Sequence, residues 1–391
     1  MIIKNGLEVL RQKGYKPLHG QRVGLMTNPS AVDKNLQSTY EVLCHSEQVN
    51  VVSLFAPEHG FVGALNDGEP VESRTDPKTG LPVHSLYGEN LRPTTEMLKD
   101  IDVIVCDIQD IGVRYYTFTW TISHILEAAA ENGVTVVILD RPNPLGGKHI
   151  YGPPLTKEFS SLVGRYPIPV IHGMTLGEII WMINETWNPR LARLSIISCE
   201  HWERDQPWEK TGLTWVPPSP NMPHLQTLQH YAGACLMEGT NISEGRGTTL
   251  PFEIAGAPWI DGAQLASHLN AQDWVDDCGV RFRPHTFRPS QSKYAGEHCQ
   301  GIQAHVTDFS MWNPIKAWLN VISEIRHLYP NNFQWTPVNQ NTGYSHFDRL
   351  VGSKSVREAI EKGVAIGTLT PDWLVAAAQF KESRKPFLLY E

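Results

Sequence analysis

No stretch of this chain is apolar for long enough to cross a bilayer. Its longest apolar runs, such as residues 134–139, fall far below the ~20 residues a spanning helix needs. Paired cysteines are missing as well. Cys44, Cys106, Cys199, Cys235, Cys278 and Cys299 are scattered without a Cys-x-x-Cys, which reads as reduced thiols and not as a disulfide framework. Nor is there an excess of positive charge: 33 Lys+Arg stand against 41 Asp+Glu, a formal −8. That balance argues against a nucleic-acid partner, whose phosphates need a basic face. The opening residues MIIKNGLEVLRQKGYK lack the apolar core and small-residue cleavage site of a signal peptide. A cytoplasmic location is expected, with a periplasmic or secreted one as the alternative.

Several chemical signatures are absent too. Gly146-Gly147-Lys148 lacks the leading glycine and the Ser/Thr of a phosphate loop. After the first apolar run stands TNPSAV in place of a G-x-G-x-x-G, so no dinucleotide cofactor is expected. No G-x-S-x-G elbow supports an esterase. His285, His298, Cys299 and His305 have neither H-E-x-x-H nor paired-cysteine spacing, so no metal is expected.

What is present is a large core. The 391 residues are 41% apolar and include 12 Trp, 12 Tyr and 12 Phe, which suits a globular protein of two domains. Residues 22–26, 49–55, 103–107 and 134–140 are short, β-branched and nearly continuous in apolar character, as strands buried on both faces are. Residues 194–198 add a further strand. Helical patterns at 94–99 and 119–132 fall between strands, with Gly133 stopping the second. The alternation predicts an α/β domain, a Rossmann-like doubly wound parallel sheet. Residues 215–223, WVPPSPNMP, hold four prolines and form a loop. Beyond it, helices at 261–269, 314–328 and 355–362 and a strand at 301–307 predict a smaller α+β domain. The expected division is 1–205 and 206–391.

In open parallel sheets ligands bind beyond the carboxyl ends of the strands. Three strands here lead into charge: Glu58 and His59 in APEHG, Asp107 and Asp110 in DIQDIGVRYYTF, and Asp140, Arg141 and Asn143 in DRPNP. Acids crowded on one edge repel one another unless paired, and Arg114 and Arg141 are the natural partners. Taken singly, Asp107 and Asp140 equally suit helix capping. Glu58 suits it less, since no helical pattern follows at once. Residues 238–252, EGTNISEGRGTTLPF, set Arg246 between glycines and acids, either as an anion fork or as one half of an ordinary ion pair. His172 precedes Thr175, a candidate N-cap for the helix through Glu178, and suits a structural role as well as a binding one. Carboxylate chemistry in a cleft is what survives, and it fits glycoside hydrolysis, in which one carboxylic acid protonates the leaving oxygen and a second group activates water or attacks the sugar.

The ordered series LMTNPSAV, LFAPEHGFVG, VHSLYGEN, CDIQDIGVRYYTF, LDRPNPLGG, GRYPIPVIHGMTLGE, PPSPNMP and EGTNISEGRGTTLPFE resembles the exo-β-N-acetylmuramidases of the NamZ type along essentially the whole chain. The resemblance implies a Rossmann-like domain and an auxiliary domain with the active site in a cleft between them. It implies exolytic release of N-acetylmuramic acid (MurNAc) from the non-reducing end of peptidoglycan fragments, in cell-wall turnover or recycling. Glu58 then maps to the catalytic glutamate and is expected to act as the general acid. Asp107 and Asp110 are further catalytic candidates. Arg114, Tyr116, Asn221, Glu244 and Arg246 match family motifs, and together with His59, Arg141, Asn143 and His172 they are expected in substrate binding. MurNAc carries a lactyl carboxylate, so Arg114, Arg141 and Arg246 are candidates for selectivity. The expected partner is a small saccharide or muropeptide, with no nucleic acid and no membrane. A deacetylase or amidase on the same fragments, which would normally need a metal, and a two-domain muropeptide-binding protein without turnover are the competing readings.

Overall fold

A computed structural model of the chain describes residues 3–61, 69, 73–340 and 342–391. Its contacts divide the chain into two compact units. The first comprises Met1–His149, Gly173–Pro223 and Ser383–Glu391; the second comprises Ile150–His172 and His224–Glu382. The expected single cut at residue 205 therefore gives way to an interleaved division, in which the chain passes from unit to unit four times.

In the first unit, strands β1 (Arg22–Thr27), β2 (Asn50–Ala56), β3 (Arg74–Thr75), β4 (Pro82–Ser85), β5 (Val103–Asp107), β6 (Thr135–Leu139) and β7 (Arg193–Ile197) form one sheet. Their order is β3-β4-β2-β1-β5-β6-β7, and only the β3–β4 pair is antiparallel. The six parallel strands follow the order of doubly wound dinucleotide-binding sheets, with the reversal between β1 and β5. Strand alternation sends Val23, Leu25, Val103, Val105, Val137 and Leu139 to one face, where they pack with Leu7 and Leu10 of helix Gly6–Gln12 and Leu43 of helix Thr39–Cys44. On the other face Met26, Ile104, Cys106, Val136 and Ile138 are equally buried. Helices Phe118–Asn132 and Leu176–Thr186 pack against each other and against β6. Burial on both faces is why these strands read as unbroken apolar runs. Gly133, at φ 70°, closes helix Phe118–Asn132 as expected.

The second unit holds a separate antiparallel sheet of β8 (Ile254–Ala257), β9 (Val280–Phe287) and β10 (Cys299–Val306), in the order β8-β10-β9. Helix Gly262–Asn270 covers β9 and β10, and helix Leu225–Ala234 packs on helix Pro314–Leu328. Residues 215–223 form neither helix nor strand, as their prolines require. No described helix is long and apolar enough to cross a membrane.

Candidate active site

Strand β2 ends at Ala56 and delivers Glu58 to the carboxyl edge of the sheet. Pro57 then opens a tight turn in which the Gly60 amide donates to the Pro57 carbonyl at 3.0 Å. His59 takes a left-handed conformation, φ 67°, which is uncommon away from glycine and marks a constrained backbone. Glu58 is buried, and its Oε2 accepts a 2.6 Å hydrogen bond from the Thr117 hydroxyl. The last two residues of LFAPEHGFVG, Val62 and Gly63, lie outside the described residues.

The segment after β5 supplies the second carboxyl. Asp110 Oδ2 accepts from the Gly112 amide at 2.8 Å, and its Oδ1 lies 3.5 Å from the Thr119 hydroxyl. Burial outweighs these bonds and pushes the Asp110 carboxyl up to about 7. Gly112, at φ 74°, is required here, because a Cβ would fall 2.4 Å from the Asn143 amide. The Tyr116 phenol feels both acids. Its surroundings include the Ser219 hydroxyl, Asp110 and Glu58, and burial raises it well above the usual tyrosine range, so it stays a neutral phenol. Glu58, Asp110, Tyr116, Thr117 and Ser219 thus form one buried polar group at the carboxyl ends of β2 and β5, around the sheet's reversal point.

Other candidates are committed elsewhere. Asp107 is fully buried and held by Arg141 through two hydrogen bonds, Nε to Oδ1 at 2.5 Å and Nη2 to Oδ2 at 3.0 Å, with the Thr39 hydroxyl also on Oδ2. Arg141 uses Nη1 on the Val32 carbonyl. This is the pairing expected of Arg141, and it occupies both groups. Asn143 bonds the Met174 carbonyl and the Leu145 amide, so it braces the loop beneath Gly112. Asp140 accepts from Thr175, Gly177 and Tyr390. Arg114 is buried four residues after Asp110; burial lowers its guanidinium to about 10, which leaves it a cation at neutral pH. Asn221 is buried in the proline-rich loop, two residues from Ser219.

His172, Glu244 and Arg246 belong to the second unit. His172 is buried, and Thr175 caps its helix through a reciprocal bond with Glu178, as the sequence predicts. Arg246 bonds Glu238 at 2.6 Å, lies 3.4 Å from Glu244 and stacks over Phe252. Lys293 reaches Glu244 Oε2 at 2.9 Å and two backbone carbonyls. Burial raises the Glu244 carboxyl, and the adjacent Lys293 opposes it. Sequence reasoning missed Thr117, Thr119, Ser219 and Lys293. A lone hydroxyl or amine among loop residues carries no spacing signal; only the fold shows what it meets.

The N-terminal family model of exo-β-N-acetylmuramidase NamZ matches residues 23–226, and the C-terminal one matches residues 229–390. The chain is 42% identical over 388 residues to the peptidoglycan β-N-acetylmuramidase NamZ of Bacillus subtilis (strain 168), covering 99% of this chain and 91% of that protein. Among solved structures, two DUF1343 family proteins of Bacteroides fragilis NCTC 9343 are similar. One has a TM-score of 0.89 at 36% identity, the other 0.78 at 29%, and each comparison covers 100% of this chain and 99% of the other. With both family models matched in order and the relatives aligned nearly end to end, the chain belongs to the exo-β-N-acetylmuramidase NamZ family.

Proposed function

We propose that this chain is a glycoside hydrolase that releases MurNAc from the non-reducing end of peptidoglycan fragments, and that Glu58 and Asp110 are its catalytic carboxyls. The observation that carries the reaction class is the 42% identity, over 99% of the chain, with the B. subtilis enzyme. Elimination assigns the roles. Asp107 is spent on Arg141, and Glu244 is spent on Lys293 and Arg246. Asp110 remains as a carboxyl that holds a proton near neutral pH, so it is the proton donor, a role the sequence alone assigned to Glu58. As the glycosidic bond breaks, its electron pair passes to the leaving oxygen, which takes the Asp110 proton. The Glu58 carboxylate faces the positive charge developing at the anomeric carbon, water supplies the hydroxyl of the released sugar, and the proton that water gives up restores the acid form of Asp110.

The lactyl carboxylate of MurNAc calls for a cation. Arg114 is a buried cation in the loop that also carries Asp110 and Tyr116, which supports it as the selectivity residue. All six cysteines are unpaired, which supports a cytoplasmic enzyme working on wall fragments.

The test uses MurNAc-β-1,4-GlcNAc and para-nitrophenyl β-MurNAc, with the GlcNAc counterpart as control. Glu58→Gln is expected to lower kcat by at least ~10³ on both MurNAc substrates. Asp110→Asn is expected to lose as much on the disaccharide and far less on the nitrophenyl glycoside, whose leaving group needs little protonation. The reverse pattern would exchange the two roles. A Glu58→Gln variant that keeps more than about a tenth of wild-type kcat would remove Glu58 from the mechanism. Tight binding without turnover by the wild type would make the chain a muropeptide-binding protein. Proton NMR of the first anomer released gives the stereochemistry.

A further inference from the structure

Thr117 stands at the N-cap of helix Phe118–Asn132, yet its side chain makes no cap bond. The threonine caps of two other α-helices behave differently: Thr94 accepts from the Met97 amide, and Thr175 accepts from the Glu178 amide. Thr117 has αR backbone angles, φ −73° and ψ −17°, in place of the extended ones of those two caps, and its hydroxyl is turned away from its own helix. It points to Glu58 Oε2 at 2.6 Å, a distance typical of a hydroxyl donating to a charged oxygen. The helix start remains anchored through the backbone, since the Trp120 and Thr121 amides both donate to the Thr117 carbonyl. A cap interaction has been given up for a contact with the carboxylate.

We propose that Thr117 is the positioning residue of Glu58. By holding Oε2 it fixes the plane of the carboxyl that faces the anomeric carbon. The proposal rests on the hydrolase reading above. Thr117 exchanges no proton in the reaction; its hydrogen stays on Oγ1 while Asp110 donates. Its effect therefore falls on the orientation of the charge that faces the transition state, and so on kcat and not on KM.

Two variants separate this role from a structural one. Thr117→Val keeps the branched shape without the donor, and Thr117→Ser keeps the donor. The valine variant is expected to lose about 10- to 100-fold in kcat on the disaccharide and on the nitrophenyl glycoside alike, with KM nearly unchanged. The serine variant is expected to recover most of that loss, and both are expected to melt close to the wild type. Unchanged kcat in Thr117→Val would overturn the proposal. So would equal losses in both variants accompanied by a fallen melting temperature. A readout independent of turnover is the side-chain carboxyl 13C resonance of Glu58, assigned by its disappearance in Glu58→Gln. It should move in the valine variant and return in the serine variant even if the wild type releases no MurNAc; a resonance unmoved by valine rejects the contact itself.

Discussion

Removing Arg141 would strand the Asp107 carboxylate in a site with no solvent, and losing one partner of such a buried pair costs about 3–5 kcal/mol. Arg141→Met is therefore expected to destabilise the fold by that amount in urea unfolding, and the double variant Arg141→Met with Asp107→Leu by much less. A KM effect confined to MurNAc substrates, with stability intact, would instead return Arg141 to substrate recognition. The contrast between Asp107 and Asp110 marks what could be read at this scale. That acids gather at strand ends was legible, because apolar runs ending in Asp or Glu are local. Which acid would be neutralised was not, because the partners of Asp107 come from Thr39 and Arg141, 68 and 34 residues away. The link from Glu58 to Thr117 spans 59 residues and had no signature either.

Helices with a side-chain cap offer a clean test of local design. Asp261 accepts from the Ala263 and Gln264 amides, both at 3.0 Å, at the start of helix Gly262–Asn270. Asp261→Ala should cost about 1 kcal/mol and Asp261→Asn much less, as read by thermal unfolding. An alanine variant as stable as the wild type would show that packing alone holds this helix. Elements with strong periodicity or clear stops were legible: the buried strands β1, β5 and β6, helix Phe118–Asn132 with its glycine stop, and helix Pro314–Leu328 with proline at its first position. Strand β9 was not, since it alternates exposed charge with apolar residues and carries Pro284. As an edge strand it tolerates a residue that cannot donate to the ladder. Helix Thr370–Arg384 was missed for another reason: it exposes Leu374 and Val375 and has no apolar stripe for periodicity to find.

For the molecule as a whole, burial of Asp110 and Asp140 sets a direction for stability against pH. Their folded values, about 7 and about 6, lie above the ordinary aspartate value near 3.9. Between these limits the folded chain binds protons that the unfolded chain has released. The contribution of these groups is thus fully present below about pH 4 and is lost as pH rises through about 6 to 7. Asp110→Asn should gain on the wild type between pH 5 and pH 8 in urea unfolding; a constant difference would reject the burial argument. The architecture at this scale was legible as two kinds of texture, a strand–helix alternation followed by a proline-rich break. The interleaving was not, because of its four crossings only the one at residue 223 coincides with the proline-rich break, and those at 149, 172 and 382 leave no mark in composition. One of those crossings bears on how the protein is made. The final segment belongs to the first unit, where Tyr390 donates to Asp140, the Leu389 amide to Glu178, and the Arg204 amide to the Glu391 carbonyl. A ribosome adding about 5–20 residues per second spends on the order of ten to thirty seconds between Pro223 and Ser383. Throughout that interval the strands of the parallel sheet have been made and the last segment of their unit has not, and the second unit is completed first. The first unit to be started is thus the last to be finished, and until then Asp140, Glu178 and the Arg204 amide wait for the partners that the last nine residues bring.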